Sequence, residues 1–295
     1  MSTFNAISLW SIVKLSPFKI AVTWSMVMIE NILLILLPLF IGYAIDGVLA
    51  KDTAPLFWFA VSLFGLVVVS VLRRFYDTRV YGDIRVRLAE KVAHNLRAAD
   101  VSAKSARLTM SRELVDFLEN DLPALMTAAI QLVSIIIILA TFHSYFALSV
   151  LIASSGMLVV YACCHNTFKR LNSKLNDQTE QQVKVLSGKP FAAISAHLEK
   201  LKKHEIALSD TEALVYGFIF SLLFLSVLSN LWLVNVLPNP STGEVFSILT
   251  YSLEFVDTAI MLPVTLQILS RLSEITQRLN RDEETHLTKE SSYEV

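Results

Sequence analysis

Residues 122–165 read "LPALMTAAIQLVSIIIILATFHSYFALSVLIASSGMLVVYACCH" and contain no Asp, Glu, Lys or Arg. As one α-helix these 44 residues would run about 66 Å at 1.5 Å per residue. A bilayer's hydrocarbon is about 30 Å thick and is crossed by about 20 helical residues. The stretch is therefore two spans, folded back at the polar turn His143-Ser144-Tyr145.

The remaining chain agrees with a polytopic membrane protein. Of its 295 residues 54% are hydrophobic and 17% charged, and the mean hydropathy is +0.55. A soluble domain has about 45–50% apolar and about 25% charged residues. The apolar blocks predict six spans, at about 20–45, 56–72, 122–142, 145–165, 213–237 and 245–270. The second stops at Arg73-Arg74, and "PNPSTG" (238–243) turns the fifth into the sixth. Two polar insertions, 73–121 and 165–213, are each 49 residues long.

Lys and Arg orient the chain, because their excess marks the cytoplasmic side. Ten lie in 73–121, eight in 165–213, four after residue 270 and two at the N-terminus, leaving only Lys51 elsewhere. Both termini and both insertions are thus expected in the cytoplasm. In the first insertion Ile84, Leu88, Val92 and Leu96 recur every four residues, a helical stripe. The second offers Leu171, Leu175, Val183, Leu186, Leu198 and Leu201. Each insertion is read as a helical hairpin whose arms reach about 30 Å beyond the membrane. The fold class expected is all-α, with a surface helix over 1–17, a six-helix membrane domain over 18–280 and a polar tail over 281–295. The first segment has no basic residue before Lys14, unlike a signal peptide, and places Trp10 at headgroup level. A net charge of −1 gives no footprint for nucleic acid, and the adjacent Cys163 and Cys164 cannot staple distant segments.

Three runs carry a family likeness. "LLPLFIGYAIDGVL" (36–49) leads a Pro-containing apolar helix into an Asp and a short outer loop. "ELVDFLENDL" (113–122) places Asp121 eight residues after Glu113 at the start of the third span. "STGEVFSILTYSLEFVDTAIMLP" (241–263) opens the sixth span and carries a Pro lower down. In this order and spacing, with six spans and two long cytoplasmic hairpins, the chain resembles the membrane domain of ABC exporters over nearly its whole length. It departs from that family at Arg112, where Gly usually precedes Glu-Leu, at Asp116-Phe117, where Ser-Arg usually follows, and across the divergent second insertion.

The resemblance implies a membrane subunit forming half of a translocation pathway, in an exporter of the bacterial cytoplasmic (inner) membrane. It implies a homodimer or a heterodimer with another six-span half-transporter, and a separate nucleotide-binding subunit that would carry ATP and Mg. The hairpin tips near 98–110 and 186–198 resemble the coupling helices that touch the ATPase, so Ala103, Lys104, Arg107, Gly188, Pro190, Phe191 and Ala192 are the candidate contacts. The alternative reading is a non-transporting interaction, regulatory or immunity protein that keeps the fold without a motor; a remnant of a longer chain is a third.

No ATPase chemistry is read in the chain itself. "VLSGKPFAA" (185–193) mimics a P-loop, but the loop needs glycine five residues before Gly188 and a hydroxyl after Lys189. Those positions hold Val183 and Pro190. His204-Glu205 begins a zincin-like motif whose second ligand would be Leu208, and Cys163-Cys164-His165 lacks the spacing for tetrahedral ligation. Glu254 and Asp257 lack the Tyr-Asp and Gly-x-Gly-Asp context of an intramembrane protease. Ionisable groups inside spans usually face a cavity or a partner. Glu30, with Glu254 and Asp257 three apart on one helical face, is therefore a candidate lining for a cavity that favours a cationic or polar ligand, the competing role being structural bonds to Asn31, Asn230 or Gln131. Pro38 and Pro263 are expected to kink spans one and six.

Overall fold

A computed structural model describes residues 9–95, 101–187 and 190–261 of the chain. The described secondary structure is entirely helical, and it divides into two compact units, residues 1–135 with 241–295, and residues 136–240. Five helical stretches are long and apolar enough to cross a membrane: Pro17–Leu49, Ala54–Ala93, Leu108–Phe142, Ser144–Gln182 and Phe191–Val236. The sixth predicted span is described only over its first part, a helix at 242–261; its remainder, Pro263, the tail 281–295, Leu96 and Gly188 lie outside the described residues.

The first unit holds α1 (Leu9–Val13), α2 (Pro17–Leu49), α3 (Ala54–Asn95), α4 (Val101–Asp116), the start of α5 (Leu122–Phe142) and the 242–261 helix, α8. Pro17 opens α2, where a missing N–H leaves no bond unmade. Residues 50–53 turn α2 into α3: Lys51 takes a left-handed φ of 59°, and Asp52 accepts the Ala54 N–H at 3.0 Å. The 42 residues of α3 form one helix about 63 Å long. It is uncharged from 54 to 72 and charged thereafter, so the second predicted span and the first arm of the insertion are a single rod.

The predicted stripe is buried. Ile84, Leu88 and Val92 pack with Val80, Tyr81, Leu114, Val115 and Leu118 into a core shared by α3 and α4. Ile12 is fully buried in that core, so α1 turns an apolar face to protein. Between α4 and α5 the structure has a π-helical turn at Phe117–Asp121, closed by the Leu122 N–H bonding to the Phe117 carbonyl. Pro123 supplies the reason: it has no N–H for the carbonyl of Glu119 and its ring crowds the preceding turn, which the wider π turn relieves.

α8 is tied to α2 at its first residues. Ser241 and Glu244 form a capping box, with the Glu244 N–H donating to Ser241 Oγ and the Ser241 N–H donating to Glu244 Oε2, each at 3.0 Å. Asp46 of α2 adds a second carboxylate, accepting the Ser241 hydroxyl at 2.6 Å and the Gly243 N–H at 2.8 Å. The backbones meet at Gly42 and Gly243: a Cβ on Gly42 would stand 2.6 Å from the Gly243 oxygen. Further along, Ser247 donates to the Pro38 carbonyl at 2.8 Å and Tyr251 to the Ile35 carbonyl at 2.5 Å. Pro38 lies inside α2, and the helix runs on through it to Leu49.

The second unit is a hairpin of α6 (Ser144–Leu186) and α7 (Phe191–Leu233), 43 residues each, preceded by the end of α5 and followed by a 3-10 turn at Val234–Val236. The turn expected at 143–145 is one non-helical residue, His143, whose Nδ1 accepts the Tyr145 N–H at 3.3 Å. The polar arms pack through positions spaced alternately three and four apart: Leu171, Leu175, Gln178 and Gln182 on α6, and His197, Leu201, His204 and Leu208 on α7. Of the apolar residues offered by the sequence, Leu171, Leu175 and Leu201 lie in this seam, Leu186 and Leu198 are exposed, and Val183's side chain lies outside the described residues; Gln178, Gln182, His197 and His204 share the seam with the leucines. The hairpin register demands that seam, whatever residues occupy it.

The glycine contact and the Asp46 cap predict two destabilised variants. Gly243→Ala should lose about 1–3 kcal/mol through overpacking, and Asp46→Ala about 1–2 kcal/mol as a lost cap. Thermal unfolding in detergent measures both, and an unchanged midpoint in either would refute the corresponding contact.

Candidate functional site

The three candidate carboxylates stand in different settings. Glu30 on α2 is engaged from α3 on both oxygens: the Ser70 hydroxyl donates at 2.5 Å and Arg73 Nε lies 2.7 Å away. Glu254 is half-buried and Asp257 exposed, one turn apart on α8. Beside them Thr258 contacts Gln131 of α5 at 3.4 Å, while Asn31 donates to its own helix at the Val27 carbonyl. Among the described residues no hydrogen bond or ion pair joins Glu30 to Glu254 or Asp257. The acidic pair of α8 and the ion pair of α2 and α3 are thus separate chemical features. The first is a pair of like charges and the second is neutralised.

At the polar tips, Ala103, Lys104 and Arg107 fall in the first two turns of α4, with side chains outside the described residues. Pro190 precedes α7 with φ −63° and ψ 153°, and its carbonyl accepts the Ala193 N–H at 2.9 Å. Phe191 and Ala192 are exposed, Phe191 by 82%, and so is Leu186 at the end of α6. The tip therefore presents an apolar knob on a polar hairpin. Below it the seam is held by Gln178 and His197, whose side chains meet at 2.7 Å; His197 is buried.

Two polar clusters were not foreseen. Arg85 of α3 donates to Asp116 from Nε at 2.9 Å and also reaches Glu119, tying α3 to the residue before the π turn and to the middle of it. Asp116 stands where the family pattern usually differs, and its partner explains the residue locally. Thr23, Trp24, Asp77 and Tyr81 form the second cluster, between α2 and α3; Thr23, Asp77 and Tyr81 are all buried. Burial pushes the Asp77 carboxyl above its usual range, with Thr23, Arg73 and Arg74 opposing the rise and Glu30 adding to it. Burial, then the charge of Asp77, pushes the Tyr81 phenol up in turn. A sequence signal existed: the 84–88–92 stripe continued backwards passes through Val80, Tyr81 and Asp77.

In the second unit, the ends of α6 and α7 nearest His143 border an open groove of about 430 Å³. Leu148, Ile152, Leu222 and Leu225 line it with the hydroxyls of Ser149 and Ser226, which are spent on the carbonyls of Ser226 and Leu223. An apolar chain fits such a lining better than a charged one. Cys163 is exposed and Cys164 half-buried, both as free thiols. No group of three or more His, Cys, Asp or Glu side chains converges as metal ligands among the described residues.

A search of curated proteins finds no match. The family profile described as the ABC transporter transmembrane region matches residues 9–243, from α1 through all of the second unit to the Gly243 contact. Long apolar helices, uninterrupted polar arms and the α2–α8 junction all fall within or at the edge of that match. The chain belongs to the ABC transporter transmembrane region family, as a multi-pass membrane subunit of an ABC-type transporter.

Proposed function

We propose that this subunit forms half of an export pathway and is driven by an ATP-binding subunit, or a half-transporter, other than itself. The observation that carries the reading is the family match over 9–243 in a sequence whose nearest approach to a P-loop has Val183 and Pro190 at its two essential positions. ATP and Mg then belong to the partner. With Lys and Arg concentrated in the insertions and termini, both hairpins and both ends of the chain lie in the cytoplasm. The tips meet the ATPase there, and the exposed Phe191 is the anchor, because a protruding aromatic beside small residues is what a partner's pocket buries most profitably.

α6 and α7 each run unbroken from the apolar segment to the tip. Motion imposed at Phe191 therefore reaches the bilayer through two stiff helices rather than through a loop. One six-span chain encloses half a pathway, so the working assembly is a homodimer or heterodimer. Glu254 and Asp257 face that pathway and select cationic or polar substrates, whereas Glu30 serves structure through Arg73 and Ser70.

Purification in mild detergent is expected to bring an ATP-binding subunit along, and substrate movement into vesicles is expected to require ATP. A chain recovered without such a partner and indifferent to ATP would instead be an interaction or immunity protein. Phe191→Ala should weaken capture of that subunit about tenfold, roughly 1.4 kcal/mol; unchanged capture would remove the tip from the interface. Glu254→Gln with Asp257→Asn should lower transport of a cationic substrate about tenfold with unfolding unchanged. Glu30→Gln should instead lower stability by about 1–3 kcal/mol, and the opposite assignment of effects would reverse the two roles.

A further inference from the structure

Asp77 sits five residues beyond the uncharged 54–72 run of α3, on the face turned to α2, and is 4% exposed. One of its oxygens, Oδ1, takes no hydrogen bond among the described residues. The Thr23 hydroxyl lies against Asp77 and the Trp24 indole N–H against Tyr81, yet neither these two groups nor the Tyr81 hydroxyl makes a hydrogen bond of good geometry. Four polar side chains in one helix interface thus hold unmet capacity, where buried polar groups are ordinarily satisfied.

Charge bookkeeping sharpens the point. From α2, Glu30 faces the cluster, and from α3 Arg73, Arg74 and Tyr81 do; Glu119 of the π turn acts on Tyr81. Arg73 is engaged by Glu30 at 2.7 Å, Arg85 by Asp116 and Glu119, and Lys19 by Asp83 at 3.0 Å. Arg74 is exposed. No ion pair to Asp77 is present among the described residues, Arg73 and Arg74 acting on it only at longer range, and an unpaired buried carboxylate is strongly penalised. Either a cation or a proton relieves it. The Trp24 indole is a donor with no lone pair to offer a metal, and a single carboxylate with two hydroxyls is a poor cage for one. A proton with ordered water suits the set, since water can accept from Trp24 and Tyr81 and donate to Asp77.

We propose that the Asp77 carboxyl, enclosed by Thr23, Trp24 and Tyr81, is a proton-binding site whose occupancy is linked to the packing of α2 against α3. Closing the interface takes up a proton, and parting the helices hydrates the carboxyl and releases it. The sign follows from linkage. A carboxyl bound more tightly to its proton in the folded state than at its ordinary value of about 3.9 adds stability at low pH and loses that contribution as pH rises through the raised value.

The test is thermal unfolding of the full chain in detergent across pH, for wild type and Asp77→Asn. The wild-type midpoint should fall relative to that of Asp77→Asn as pH is raised above the ordinary carboxyl value of about 3.9, the variant carrying a permanently neutral side chain of the same shape. Equal slopes, or an Asn variant destabilised to the same extent at every pH, would overturn the proposal. Carboxyl carbon NMR of aspartate-labelled protein in an Asp257→Asn background decides the matter even if Asp77→Asn fails to fold. One aspartate should remain protonated well above the others, and if none does the site is not a proton site.

Discussion

The α2–α8 junction rests on one carboxylate placed where a helix begins. A helix start leaves four N–H groups without intrahelical partners, and in apolar surroundings none is easily left bare. Ser241 and Glu244 serve some of them locally, and Asp46 brings a full negative charge to the positive end of the α8 dipole from another helix. That arrangement needs the two backbones in contact, hence Gly42 and Gly243, where any side chain would intrude. Once they touch, the following turns of α8 reach the carbonyls of Pro38 and Ile35, and a proline in mid-helix becomes tolerable because a neighbour bonds the backbone around it. Each of these contacts presupposes the one before it.

The polar arms of the two units are built differently. In the first, α3 and α4 share a continuous apolar core that also takes in Ile12 of α1. In the second, α6 and α7 pair with each other, and the middle of their seam is Gln178 against His197. A polar pair in such a seam specifies register while giving little stability. One arm is therefore a packed platform and the other a slender rod whose pairing is set by a few side chains. On the proposed reading, the slender rod carries the anchor Phe191, so the part that must transmit motion is the one whose pairing rests on a few side chains.

Much of the fold was legible because membranes restrict it so strongly. A charge-free run of 44 residues has no alternative to two spans, and the structure breaks it at His143, within the expected turn. The stripe at Ile84, Leu88 and Val92 was equally readable, being apolar, regular and in a polar context. The second insertion was legible only in part: Leu171, Leu175 and Leu201 lie in the seam, but register also puts Gln178, Gln182 and His204 there and leaves Leu186 and Leu198 outside. The capping box at Ser241 and Glu244 was visible in the sequence, but its third member, Asp46, lies 195 residues away from Ser241. Arg85 with Asp116 and Glu119, and Asp77 with Thr23, Trp24 and Tyr81, are assemblies across helices. Spacing along the chain can show that such residues are buried but not what they meet.

The π turn at Phe117–Asp121 alters what residue number means along this segment. An α-helix advances about 100° per residue, so the additional residue held in the wider turn rotates everything after it by about that angle relative to α4. Faces of α4 and α5 that seem aligned by counting in threes and fours are in fact about a quarter-turn apart. Deleting a single residue here would leave both helices intact and their ends nearly where they were, yet swing the whole apolar surface of α5 to a new heading. At this joint chain length acts as an angular setting, with Arg85 as the catch that keeps it.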